Sequence, residues 1–248
     1  MHIPIAQPSL GNEESDAVLT VLASGMIAQG PVTAAFEEEF AAYCGIPHAV
    51  AVSNGTTALH AALLAAGVGP GDEVIVPAFT FFATASSVSM CGARPVFADV
   101  DAATATIDPA DILAKVTPKT KAVIGVHLYG QPCDAGAIRK ICDDRGLVFI
   151  EDAAQAHGAE YHGRRTGALG DLACFSFYAT KNLATGEGGM VTTGSDEYDQ
   201  HLRRLINHGQ SEKYLHTELG YNYRMTDINA AIGRVQLAKL DGFNRRRQ

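Results

Sequence analysis

Between His48 and Asp152 the chain alternates two kinds of segment. Short apolar runs (HAVAVSN, DEVIVP, RPVFADV, KAVIGVHLYG, LVFIED) read as strands. The segments between them (GTTALHAALLAAG, TFFATASSVSMCG, PADILAKV, DAGAIRKICDDRG) read as helices. Strands that are apolar on both faces, alternating with helices, predict an α/β fold: a mostly parallel sheet with helices on both faces and right-handed crossovers.

The flanks follow other patterns. Residues 1–11, with two prolines and a glycine, predict an extended arm, followed by a helix from Asn12 to about Ala23. The stretch from Ser24 to Gly30 breaks it. Pro31 opens a second helix, PVTAAFEEEFAAYC, stopped by Gly45. After Asp152 the alternation ends. DLACFSFYATKN and GGMVTTG read as two strands joined by a glycine-bearing loop, and DEYDQHLRRLINHG as a helix. QSEKYLHTELGYNYRM reads as a long loop. TDINAAIGRVQLAKLDGF reads as a helix with a Thr-Asp cap and an apolar stripe at Ile228, Ile232, Val235 and Leu240. No linker or repeat divides the chain, so residues 1–248 are expected to form one main domain.

Composition narrows the function classes. With 19 basic and 27 acidic residues the net charge is −8, which disfavours nucleic acid or an anionic membrane as the main partner. Arg245 to Arg247 form a short cluster, read as a solvated helix end. The five cysteines are scattered without a C-x-x-C pair, so neither a disulfide framework nor a zinc site is expected, and a cytoplasmic location is. There is no secretory signal pattern, and AVLTVLASGM is too short to span a bilayer.

Three places carry candidate chemistry. Ser53-Asn54-Gly55-Thr56-Thr57 lies between a strand and an alanine-rich helix, where free N–H groups make either a phosphate cradle or a plain N-cap. Asp152 ends a strand at the edge where open parallel sheets bind ligands. It suits a protonated pyridine nitrogen, a helix cap, Mg²⁺ or a ribose hydroxyl. Lys181 follows FSFY in apolar surroundings and reads as a carbonyl nucleophile or as a surface lysine. Neither G-x-G-x-x-G at a suitable distance nor a P-loop pattern is present. Together, a phosphate cradle, a carboxylate and an amine are what pyridoxal 5'-phosphate requires.

With SNGTTALHAAL at 53–63, PAFTFFATA at 77–85, EDAAQAHGA at 151–159, FSFYATKN at 175–182, GEGGMVTT at 186–193 and LGYNYRMTDINAAIG at 219–233, the chain resembles the DegT/DnrJ/EryC1/StrS family of pyridoxal-phosphate-dependent sugar aminotransferases, of fold type I. The resemblance implies the large cofactor-binding domain of that fold, and a smaller C-terminal domain expected to be truncated after Gln248. It implies that Lys181 bonds the cofactor aldehyde and moves protons, that Asp152 holds the pyridine nitrogen, and that Gln155 contacts the ring oxygen. Phe81 would stack on the ring. Gly55, Thr56 and Ser176 would bind the phosphate, joined by Asn222 from the second subunit of a homodimer with shared active sites. One subgroup of the family has histidine in place of the lysine and dehydrates instead. Lys181 favours transamination.

The resemblance further implies two half-reactions. The amino donor it implies is an amino acid, glutamate first, and the acceptor a nucleotide-linked keto-sugar, in amino-sugar biosynthesis. Gln29, Gly30, Pro31 and residues His208 to Tyr214 are candidates for shaping the sugar pocket, from loop placement alone. His157 reads equally as a ligand contact or as a structural histidine. The competing readings are a non-catalytic cofactor-binding or regulatory module, an inactive fragment, and an aminotransferase acting on a cyclitol ketone.

Overall fold

The computed structural model describes residues 7–248. Residues 1–6 of the predicted arm lie outside the described residues, and residues 7–11 are exposed without regular structure. The central sheet contains β1 (His48–Val52), β2 (Glu73–Pro77), β3 (Arg94–Ala98), β4 (Thr120–Val126), β5 (Val148–Asp152), β8 (Leu172–Ser176) and β9 (Gly189–Thr193). Their order is β1-β9-β8-β5-β4-β2-β3. The β3-β2, β2-β4, β4-β5 and β5-β8 pairs are parallel, whereas β9 runs antiparallel to both β8 and β1. The mostly parallel α/β sheet predicted from the apolar runs is therefore present, with one reversed strand.

Each strand sends alternate side chains to opposite faces. Val50, Val52, Val74, Val76, Ile124, Ile150, Cys174 and Val191 face one side. There they pack on α3 (Gly55–Ala65), α4 (Phe82–Met90) and α7 (Asp196–Leu205). The other face is divided. Ala49, Ala51, Phe175 and Met190 pack on α2 (Pro31–Cys44) and α8 (Asp227–Arg247). Ile75, Val123 and Phe149 pack on α5 (Pro109–Lys115) and α6 (Ala135–Arg145). The remaining helix, α1 (Asn12–Ser24), lies on α8.

The helix ends follow local chemistry. Asn54, Asp108, Asp134, Ser195 and Thr226 cap their helices with side-chain oxygens. Gly45 ends α2 in the left-handed region at φ 73. The N-cap of α2 is Gly30, which has no side chain to cap with. Buried Asp227 takes over that role from α8, accepting N–H groups of Gly30, Val32 and Thr33 and the Thr33 hydroxyl.

Four expectations needed revision. The predicted strand KAVIGVHLYG ends at Val126, because His127 turns inward and Tyr129 adopts φ 55 in a short 3-10 turn. The predicted strand DLACFSFYATKN ends at Ser176. Phe177 N–H then bonds to Gly188, and Lys181 N–H to Tyr178, placing Lys181 in a turn. The long loop contains a hairpin, β10 (Gln210–Glu212) with β11 (Leu215–His216), and a second small hairpin, β6 (Glu160–Tyr161) with β7 (Arg164–Arg165), lies in the glycine-rich connection. On α8 the buried positions are Asp227, Ala230, Ala231, Gly233, Gln236, Leu237 and Leu240, while Ile228, Ile232 and Val235 are half-buried. Large residues read as the core face because the contact with α2 is made by small ones: a Cβ on Gly233 would lie 2.6 Å from the Phe36 ring.

Glu151, on β5, is fully buried. Its carboxylate accepts N–H groups of Gly167, Leu169 and Gly170 at 2.9, 2.7 and 2.8 Å. The Nδ1 atom of His127 accepts the Cys133 N–H, so the ring proton sits on Nε2 and is donated to Glu151 at 2.9 Å. This carboxylate ties the connection before β8 to the middle of the sheet. Glu151→Ala would leave four donors unpaired in a dry interior. We expect it to lower the unfolding free energy by about 3–5 kcal/mol in urea denaturation. A loss below about 1 kcal/mol would contradict the tie.

Candidate active site

Strands β1, β2, β4, β5 and β8 point the same way, so their carboxyl ends share one edge of the sheet. A cavity of about 720 Å³ opens there, a size suited to a small cofactor plus part of a substrate. Seven residues singled out from the sequence line it: Gly55, Thr56, Phe81, Asp152, Gln155, Ser176 and Lys181. They arrive from four separate segments: the start of α3, the β2–α4 turn, the end of β5 with the turn after it, and the end of β8 with the turn after it.

The α3 end is a cap that leaves donors free. Asn54 Oδ1 accepts Thr57 N–H at 2.9 Å, and Asn54 N–H bonds to Thr57 Oγ1 at 3.1 Å. That reciprocal box leaves the N–H groups of Gly55 and Thr56 without an acceptor among the described residues. Gly55 is required by close approach: a Cβ there would lie 2.7 Å from Ser176 Cβ. The helix start thus sits against β8, beside the Ser176 hydroxyl.

Asp152 is 5% exposed. Its Oδ2 accepts the Thr84 hydroxyl at 2.7 Å and its Oδ1 the Ala154 N–H at 3.2 Å. Burial pushes its carboxyl up from the ordinary range, against those hydrogen bonds and the charge of Lys181. Lys181 is half-buried, and burial pushes its ammonium down, opposed by Asp152. Among the described residues its Nζ makes no hydrogen bond or ion pair. Gln155 Oε1 accepts Tyr129 N–H at 2.8 Å, which leaves the amide NH₂ as its free donor. Phe81, 71% exposed, stands at the cavity wall as the N-cap residue of α4.

The other sequence candidates lie elsewhere. Asn222 is exposed and bridges to Asn207, away from this cavity. Gln29 and Gly30 line a smaller cavity of about 270 Å³ with Glu37 and Arg203, and His208 to Tyr214 belong to the β10–β11 region. His157 is buried between the rings of Phe175 and Phe177, at centroid distances of 5.4 and 5.7 Å. It borders a separate cavity of about 500 Å³ that also touches Lys181. Sequence reading missed Thr80, Thr84, Tyr178 and Glu187. Thr80, Tyr178 and Glu187 line the main cavity, and Thr84 grips Asp152 from behind. For Thr84 the available signal was its spacing of four from Thr80 in PAFTFFATA.

A largely parallel seven-stranded sheet with one reversed strand and flanking helices is the fold of the fold-type I aminotransferases. The chain belongs to the DegT/DnrJ/EryC1/StrS aminotransferase family, whose sequence profile matches residues 8–248. It is 48% identical over 243 residues to GDP-perosamine synthase of Caulobacter vibrioides, covering 97% of this chain and 66% of that protein. It is 46% identical to dTDP-3-amino-3,4,6-trideoxy-alpha-D-glucose transaminase of Streptomyces venezuelae, covering 100% of this chain and 65% of that one. The crystal structure of S. venezuelae DesV in complex with a ketimine intermediate superposes with a TM-score of 0.91 at 48% identity, covering 93% of this chain and 62% of that chain. The chain thus spans just under two thirds of the length of these relatives. No helix among the described residues is long and apolar enough to cross a membrane.

His157 yields a pH prediction. Burial lowers its pKa from 6.5 to about 4, and neither ring nitrogen has a partner among the described residues. The unfolded chain therefore takes up a proton near pH 6.5 that the folded chain refuses until about pH 4. The contribution to stability is full above pH 6.5 and is lost as pH falls through that window, by about 3 kcal/mol. His157→Phe removes the titration. Relative to wild type, its unfolding free energy should rise by about 3 kcal/mol between pH 7 and pH 4. Parallel pH curves for the two proteins would refute the assignment.

Proposed function

We propose that the protein is a pyridoxal-phosphate-dependent aminotransferase that moves an amino group from glutamate to a nucleotide-linked keto-sugar in cytoplasmic amino-sugar biosynthesis. The observation that carries this reading is an unpaired, partly desolvated lysine facing the same cavity as a buried aspartate and two free backbone N–H groups. The residues fit the cofactor at each polar position. Burial drives both Lys181 and Asp152 toward their neutral forms, so each lacks a charged partner strong enough to offset desolvation. The helix start supplies unfilled donors for a phosphate.

Bound in this cavity, pyridoxal phosphate supplies an aldehyde for amine exchange and a protonated ring that takes up the electron pair left by a departing proton. The chain's part is binding, orientation and proton movement. Gly55 and Thr56 N–H groups and Ser176 Oγ hold the phosphate. The Asp152 carboxylate keeps the proton on the ring nitrogen. The Gln155 NH₂ donates to the ring oxygen, and Phe81 covers one face. Lys181 Nζ would take the proton from the donor α-carbon and deliver it two atoms along, to the carbon supplied by the cofactor aldehyde. In the second half-reaction the keto-sugar passes through the same proton transfers in reverse. We assign Asn222 to the phosphate of a second subunit, in a homodimer with shared sites. Its exposure and its distance from the cavity of its own chain agree with that role. The names of the two relatives, a GDP-sugar synthase and a dTDP-sugar transaminase, favour a nucleotide-linked acceptor over a cyclitol ketone.

The protein mixed with pyridoxal phosphate should turn yellow, and borohydride should fix the cofactor to the wild type but not to Lys181→Ala. Glutamate should bleach the colour with release of 2-oxoglutarate, and a keto-sugar nucleotide should restore it. Lys181→Ala should lower the transamination rate by about 10²–10⁴-fold. A protein that stays colourless overturns the cofactor assignment. Colour that persists with every amino donor points instead to a non-catalytic binding module.

A further inference from the structure

The carboxylate of Asp152 is held from the side away from the solvent by α4. Thr84 is fully buried, and its Oγ1 donates to Asp152 Oδ2 at 2.7 Å. A hydroxyl has one proton, so the Thr84 oxygen is left to accept. Thr80 Oγ1 lies 2.9 Å from it and is the donor by this logic. The two threonines are four residues apart across the start of α4 and fall on one side of it. Thr84 is further fixed by its N–H on Phe81 O at 3.1 Å and by the Ser87 hydroxyl on its own carbonyl at 3.1 Å. Ala154 N–H occupies Asp152 Oδ1, so each carboxylate oxygen has one donor from the protein and keeps a lone pair for the cavity.

We propose that Thr80 and Thr84 form a directed hydroxyl relay that positions Asp152 and holds it ionised for the ring nitrogen of the cofactor, making Thr84 a positioning residue for the reaction. The proposal rests on the cofactor reading above and adds to it the source of the aspartate's orientation. A buried carboxylate that loses one charge-assisted hydrogen bond becomes easier to protonate and freer to rotate. The ring nitrogen would then meet a weaker acceptor. The other titratable groups that act on Asp152 are Lys181, beyond β8, and His127, beyond β4, and neither is hydrogen-bonded to the threonines.

The test compares two ligands on the full-length protein: pyridoxal phosphate, and its carbocyclic analogue in which CH replaces the ring nitrogen. Thr84→Val keeps the shape and removes the hydroxyl. It should weaken pyridoxal phosphate by about tenfold or more while changing the analogue by less than about twofold. Thr84→Ser retains the hydroxyl and should stay within about twofold of wild type for both. Thr80→Val should move affinity in the same direction as Thr84→Val, by less, and carries the test should Thr84→Val not fold. Equal weakening of both ligands, or of neither, overturns the relay, since a purely structural role does not distinguish N from CH. Wild-type protein that binds neither ligand overturns the cofactor reading, and the relay with it.

Discussion

Strand β5 ends in two buried carboxylates, and the rest of the molecule is arranged around how each is stabilised. A buried ionised carboxyl without partners is one of the most expensive groups a fold can contain. Because side chains alternate along a strand, Glu151 points to the face covered by α5 and α6, and Asp152 to the face covered by α3 and α4. Glu151 is fully served by the protein: three backbone N–H groups and the His127 ring leave it no role in chemistry. Asp152 is served only in part, by one hydroxyl and one N–H, and it faces a cavity. The first carboxylate fastens the connection that delivers β8. The second is left open to a ligand at the edge that β8 helps to build.

Much of the fold was legible because the strands carry no polar alternation. A strand buried on both faces must lie inside a helix-covered sheet, and that constraint is local enough to read from LVFIED or DEVIVP alone. What was not legible depended on distant partners. The end of β4 at Val126 is set by His127 turning toward Glu151, 24 residues later. The capping of α2 by Asp227 joins residues nearly two hundred positions apart. On α8 the large side chains misled, because the close contact with Phe36 is made by Gly233, where the absence of a side chain is the feature that matters.

The site was legible to a different degree. Lys181, Asp152 and the Gly55 turn each had a commoner reading, and only the set pointed to one cofactor. The two readings of the Gly55 turn proved compatible: Asn54 caps the helix through Thr57, and that same capping spares the N–H groups of Gly55 and Thr56. Thr84 escaped notice because its importance lies in the crossing of α4 over the end of β5, a contact 68 residues long in sequence. Its spacing of four from Thr80 in PAFTFFATA is a local mark, but it does not name the distant partner.

The electrostatics of the cavity tie these observations together. Lys181 and Asp152 attract each other, yet burial still draws the lysine below its usual range and the aspartate above it. The attraction between them is therefore too weak to offset what each loses by leaving water. A direct ion pair would have satisfied both and closed the site. Lys181 instead sits in a turn with its amine unpaired, because β8 ends at Ser176, five residues before it. At that end Gly55 brings the start of α3 against Ser176. The same packing brings the free N–H groups of Gly55 and Thr56 to the cavity that the amine and the carboxylate share. Each retains an unmet requirement, and under the proposed function a ligand with a cationic ring nitrogen, an electrophilic carbon and an anionic phosphate would meet all of them at once.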